Sequence, residues 1–283
     1  MSTLLMGAVA YDPKVVTIWN GFKEYFLRNG LDFDYVLFSN YERQVQAHFD
    51  GLIHVAWNSP LAWIQSEQIA KVTGRHAVAV MMRDTDCDLT SVVVVRRNEG
   101  YKGIGDLRGK RVAVGAKDSP QATLIPLKEF VNAGLEPDED FTVVPFDVLV
   151  GLHGDHVGGE RDAAIALMNG DADAACVLEA NYALFEQDGT LKPESTKVLA
   201  RTPLFDHCNF TVLDGAPTKD IAKFCELLQD MKYDDTELRP LLDMEGLKQW
   251  KVGRVKGYAA LSNAIDHFGT IEEFVESAGA RCR

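Results

Sequence analysis

Leu4-Leu-Met-Gly-Ala-Val-Ala10 opens a stretch in which strand and helix signals alternate as far as Leu52-Ile-His-Val-Ala-Trp57. The opening run is short and apolar and runs straight into Tyr-Asp-Pro, which reads as a first buried strand. Asp12-Pro13 can open a helix, because the fixed φ of proline suits a first helical turn. Val16, Trp19, Phe22 and Phe26 then recur at helical spacing until Asn29-Gly30 closes the segment. A strand is expected over 33–38, a helix over 41–49 between Asn40 and Asp50-Gly51, and a third strand over 52–57. A β-α-β-α-β order of this kind is the signature of a parallel sheet with helices on its faces.

Further along, Pro60–Thr73 reads as a helix, and 76–82 and 91–96 read as strands. From Arg97 to Arg111 the chain turns polar and glycine-rich, and a second α/β unit starts at Arg111-Val-Ala-Val-Gly115. It continues through Ser119, a helix over 123–133 stopped by Gly134, a strand at Val143-Val144 and a loop rich in Gly and His at 151–159. A helix from about Glu160 to Asn169-Gly170 and a strand over 172–178 follow. Strands at 197–200 and 210–213 flank Thr202-Pro203-Leu-Phe-Asp-His-Cys208, and the rest reads as mostly helical from Thr218. No short repeat recurs, which excludes a solenoid.

The 283 residues, 46% hydrophobic and 25% charged, suit a folded α/β protein and exclude disorder. With 29 basic against 42 acidic side chains the net charge is −13. No Lys/Arg cluster stands against that field, so neither nucleic acid nor an anionic membrane surface is an expected partner. A small anion remains compatible, because backbone N–H groups and a few arginines act at short range. The cysteines at 87, 176, 208, 225 and 282 are odd in number and have no CxxC spacing, which fits a reducing compartment. No apolar run approaches the roughly 20 residues of a membrane span. The chain as given reads as cytoplasmic, or as periplasmic or extracellular if a signal peptide has been removed.

Ser119, Gln121 and Thr123 fall at a strand-to-helix turn, where free N–H groups and the helix dipole favour an anion. An ordinary N-cap with Pro120 behind it fits the same residues. Asn58 and Ser59 follow the third strand, at the end of a parallel strand where open α/β sheets place ligands; helix capping ahead of Pro60 is again the plainer reading, and both can hold. Tyr11 occupies the same end of the first strand, as a cleft wall or as a surface tyrosine. The segment Leu152-His-Gly-Asp-His-Val-Gly-Gly-Glu-Arg161 gathers two histidines, two carboxylates and an arginine among glycines. His153, His156, His207 and Cys208 do not make a recognised zinc spacing, so no metal and no cofactor is expected. Gly103-Ile-Gly105 does not open a helix after a strand, and no nucleophile elbow or phosphate-binding Walker loop is present.

Asp106-Leu-Arg-Gly-Lys-Arg-Val-Ala-Val-Gly115, the helix end Ala133-Gly-Leu-Glu-Pro137 and Ala166-Leu-Met-Asn-Gly-Asp-Ala-Asp-Ala174 together resemble the phosphate/phosphite/phosphonate-type substrate-binding proteins of ABC transporters. The resemblance implies a two-lobed type II periplasmic-binding-protein fold. Each lobe would be a mostly parallel sheet flanked by helices, with a ligand cleft between the lobes that closes by a hinge. Lobe one would comprise 1–100 plus 206–283, and lobe two 101–205. A small polar, anionic, phosphonate-like ligand would be captured, with an ABC permease as partner if a leader was removed.

By position, the resemblance adds His156 or Arg161 before the 160–169 helix, Glu179 and Asn181 after the 172–178 strand, and His207 where the chain crosses between lobes. The sequence departs from the family in Asp118-Ser-Pro-Gln-Ala-Thr123, where a Gln enters a turn usually rich in hydroxyls. The alternative is a cytosolic enzyme on the same fold, using His156, His207, Cys208 and Glu179 for acid/base or nucleophilic chemistry. Thiamin pyrimidine synthases are one such similar group, and their cysteine cluster is absent here.

Overall fold

A computed structural model describes residues 3–147, 157–192 and 194–269. In chain order, the first part is β1 (Leu4–Val9), α1 (Lys14–Arg28), β2 (Phe33–Phe38), α2 (Tyr41–Phe49), β3 (Val55–Asn58), α3 (Pro60–Thr73) and β4 (Ala77–Arg83). Then come β5 (Ser91–Arg96), β6 (Arg111–Val114), α4 (Ile125–Asn132), β7 (Thr142–Pro145), α5 (Val157–Asn169), β8 (Ala174–Leu178), α6 (Glu179–Gln187) and β9 (Thr196–Arg201). The chain continues with β10 (Asn209–Leu213), α7 (Thr218–Asp230), α8 (Arg239–Glu245), β11 (Trp250–Val252) and α9 (Ala259–Phe268).

The described residues form two compact units, one from the N-terminus to Cys87 with Asp206–Tyr258, the other Asp88–Phe205 with the helix that begins at Ala259. The first holds a six-stranded sheet in the order β11-β4-β10-β3-β1-β2. β1 pairs in parallel with β2 and β3, while β10 runs antiparallel between β3 and β4. Helix α1 closes one face because Val15, Ile18, Trp19, Phe22 and Phe26 project from one side of it. They meet Trp57, Phe210, Phe224 and Trp250 in an aromatic core, Trp57 and Phe210 lying 4.6 Å apart between ring centroids. Burying each such ring contributes about 1.5–3 kcal/mol. On α3, the Ser59 hydroxyl accepts from Ala62 N and Pro60 takes the first helical position, which fixes where the helix leaves β3.

The second unit holds a five-stranded sheet, β7-β6-β8-β5-β9. β6 pairs in parallel with β7 and β8, and β5 is antiparallel to both β8 and β9. Each sheet is therefore mixed, since β5 and β10 run against the parallel core of the sheet they enter. The valine run of β5 is buried in the second sheet, where Val92 to Val95 are at most 1% exposed. Residues 88–100, expected with the first lobe, thus belong to the second unit. Helix α9, also expected there, packs with the second unit as well, beside α4. Helix α6 and strand β11, neither of them expected as such, complete the two units.

Candidate functional site

In the second unit, β6 and β8 are neighbours, and the chain leaves both at the same edge of the sheet. After β6, residues Pro120–Leu124 form a π-helical turn ahead of α4, with Ile125 N bonded back to Pro120 O. Such turns inside helices are frequent at functional sites. The Ser119 hydroxyl accepts from Ala122 N at 3.1 Å, and the Thr123 hydroxyl donates to Ala116 O at 2.7 Å. Both hydroxyls hold the turn in shape. Gln121 is 7% exposed, and its buried Oε1 has no hydrogen-bond partner.

Two glycines let the backbone come close here. A Cβ on Gly115 would lie 2.7 Å from Ala122 Cβ, and one on Gly159 would lie 2.7 Å from Phe146 O. Glu160, fully buried, follows Gly159 in the first turn of α5. Its Oε2 accepts from Leu178 N at 2.7 Å and from Asn181 Nδ2 at 2.9 Å. The carboxylate therefore does for α6 what a local cap does elsewhere, since Leu178 at the helix start offers no side-chain cap. Asn181, expected as a ligand contact, is one half of this tie.

Glu179 and Arg161 are engaged within the same unit. Glu179 Oε1 accepts from Arg201 Nε at 2.9 Å. Arg161 donates to Asp188 Oδ2 at 2.7 Å and to Thr190, and lies over the Phe185 ring. Its guanidinium packs α5 against α6. Hydrogen bonds from Thr190 and from Arg161 hold the Asp188 carboxyl down to about 2. His153 and His156 lie outside the described residues.

In the first unit, β1, β3 and β4 end at one edge, where β10 begins beside Asn58. Asn58 is fully buried: its Nδ2 donates to Thr211 at 2.9 Å and Ser66 at 3.3 Å, and its Oδ1 accepts from Gln44 at 2.8 Å. Its amide is committed to joining α2, α3 and β10. Ser59 is the cap of α3, and Tyr11 is half-buried against the aromatic core.

The strongest electrostatics of this edge surround Asp86. Arg83 grips its carboxylate with two hydrogen bonds, Nε to Oδ2 at 2.6 Å and Nη2 to Oδ1 at 3.0 Å. Burial pushes the Asp86 carboxyl up, but Arg83 and His207 outweigh it and hold the group at about 2. His207 N donates to Asp86 O, and Cys208 N donates to Asp86 Oδ1 at 3.2 Å, pinning the start of β10 to this turn. The His207 ring has Nδ1 3.2 Å from Cys208 Sγ and 3.5 Å from Asp86 Oδ1. Burial opposes its charge, yet Cys208 and Asp86 raise it to about 10. Asp206, one residue before, is gripped by Arg254 through Nε and Nη2.

The sequence reading singled out His207 and Cys208 but neither Arg83 nor Asp86, and it met Glu160 only as one of the two carboxylates of the 152–161 segment. Arg83 and Asp86 stand three apart at the end of β4, a spacing that pairs charges and could have marked them. Glu160 carried a weaker signal, a carboxylate directly after Gly158-Gly159 at a helix start.

Among proteins of known structure, PhnD1 from Prochlorococcus marinus MIT 9301, solved with methylphosphonate, superposes with a TM-score of 0.67 at 16% identity. The match covers 95% of this chain and 99% of that one. XAC2383 from Xanthomonas citri, solved with chloride, gives 0.67 at 13% identity over 94% and 100% of the two chains. A binding protein component of an ABC phosphonate transporter from Pseudomonas aeruginosa gives 0.61 at 13% identity over 99% and 89%. At these identities the likeness is one of fold, the type II periplasmic-binding-protein fold. Residues 8–259 also match the family described as "ABC transporter, phosphonate, periplasmic substrate-binding protein", and the chain belongs to that family.

Proposed function

We propose that the protein binds a small oxyanion of the phosphonate class and returns it unchanged, with the Ser119–Leu124 turn of the second unit as its seat. One observation carries the assignment: a π-helical turn, capped by Ser119 and set at the end of the interior β6 strand, holds the buried Gln121 amide with an unpartnered end. A rotation of that amide presents Nε2–H to an oxyanion, and the helix start adds its dipole. The family match supports the ligand class. The acid/base alternative on His156, His207, Cys208 and Glu179 gains no such support from the family match, and Glu179 is bound to Arg201.

Family members work with ABC permeases and are normally periplasmic. No described helix is long and apolar enough to cross a membrane. We take a permease as the partner where the natural chain carries a leader.

Native mass spectrometry with methylphosphonate, phosphate and sulfate, combined with phosphorus NMR of the recovered ligand, tests the proposal. A complex of one oxyanion per chain and an unaltered spectrum are expected. Loss of the ligand signal with growth of a product signal would assign the fold to catalysis instead.

A further inference from the structure

We propose that Asp86, His207 and Cys208 form a three-ligand site for a divalent transition metal of the zinc class, placed at the strand-end edge of the first unit. The carboxylate, imidazole and thiol atoms lie within 4.8 Å of one another. Their spacing is close to that of a metal site: His207 Nδ1 is 3.5 Å from Asp86 Oδ1, and the 3.2 Å from Nδ1 to Cys208 Sγ has to open by a few tenths of an ångström when a metal enters. Around a tetrahedral zinc with Zn–S of about 2.3 Å and Zn–N or Zn–O of about 2.0–2.1 Å, such edges measure roughly 3.3–3.6 Å. Thiolate and imidazole are donors that favour zinc, copper and cobalt over magnesium or calcium.

The surroundings supply what a first set of ligands needs. Arg83 holds Asp86 in place through Oδ2 and Oδ1, and Cys208 N adds a third bond to the same carboxylate. Arg83 also donates to Glu245, so its own charge is shared between two carboxyl groups. The Tyr258 hydroxyl donates to His207 O at 2.6 Å and fixes the backbone of the residue that carries the imidazole. Outer contacts of this kind orient metal ligands. Asp86 is 2% and Cys208 7% exposed, while the His207 side chain, at 22%, gives the metal its path from solvent. On binding, the metal replaces whatever protons His207 Nδ1 and the Cys208 thiol carry; these are released to solvent, and no electron is transferred. Sequence spacing hides the site, because Asp86 lies far along the chain from the His-Cys pair.

The proposal is independent of the anion reading and is tested with no oxyanion present. Cobalt(II) is titrated into the intact, reduced protein while the near-ultraviolet thiolate-to-cobalt charge-transfer band is followed, and zinc is then added as competitor. One cobalt per chain with this band, bleached by zinc, is expected. Cys208→Ser should remove the band and weaken binding at least about 100-fold, and His207→Gln should weaken it by about 10-fold or more. Cys87→Ser and Cys225→Ser should keep the band, and circular dichroism checks that each variant is folded. No band at saturating cobalt, or a band that survives Cys208→Ser in a folded protein, would overturn the site.

Discussion

His48 is enclosed in α2 at 2% exposure. Burial lowers its pKa from 6.5 to about 3, so the folded state holds it neutral. Between those values the unfolded chain binds the extra proton, and stability falls as pH is lowered from 6.5 towards 3. One proton corresponds to a slope of about 1.4 kcal/mol per pH unit. Urea melts across this range should show wild type losing stability relative to His48→Leu as pH falls; equal slopes would contradict the account. Asn58 makes a contrasting case, because its amide is engaged on both sides. Asn58→Ala should cost about 1–3 kcal/mol through the partners left unpaired. Methylphosphonate affinity should stay within about twofold, measured on protein that remains folded at low temperature.

At the scale of elements, α5 and α6 depend on contacts that local sequence does not reveal. Glu160 supplies the cap of α6 from another helix, and for that reason the residues after Leu178 read as a strand end rather than a helix start. Glu160→Ala should lower stability by about 3 kcal/mol, as expected for a buried acceptor whose two donors are left unpaired, and Glu160→Gln should restore only part of it. Gly159→Ala would drive a Cβ against the Phe146 carbonyl, a backbone atom that cannot step aside, and should cost about 1–3 kcal/mol in thermal melts. Elements whose signals are local were legible in full: α2 and α3 begin and end where Asn40, Asp50-Gly51, Ser59-Pro60 and Gly74 dictate. β11 was not, because three residues at a sheet edge carry too little periodicity to be read.

At the scale of the whole molecule, the alternation of β and α over the first 57 residues revealed the fold class, and the 106–115 and 166–174 segments revealed the family. Sheet membership was hidden: the valines of β5 would be buried equally in either sheet, and only pairing with β8 and β9 assigns them. The candidate site was legible in part. Ser119, Gln121 and Thr123 do share one turn, but two of the three side chains are occupied in shaping it. The Arg83–Asp86–His207–Cys208 cluster needed the antiparallel entry of β10 to assemble. Isothermal titration of the intact protein with methylphosphonate tests the central claim most directly. The account predicts saturable binding at one site per chain, weakened at least about tenfold in Gln121→Ala, the loss of roughly one hydrogen bond to a charged group. Absence of saturable heat with methylphosphonate, phosphate and sulfate alike, on folded protein, would contradict it.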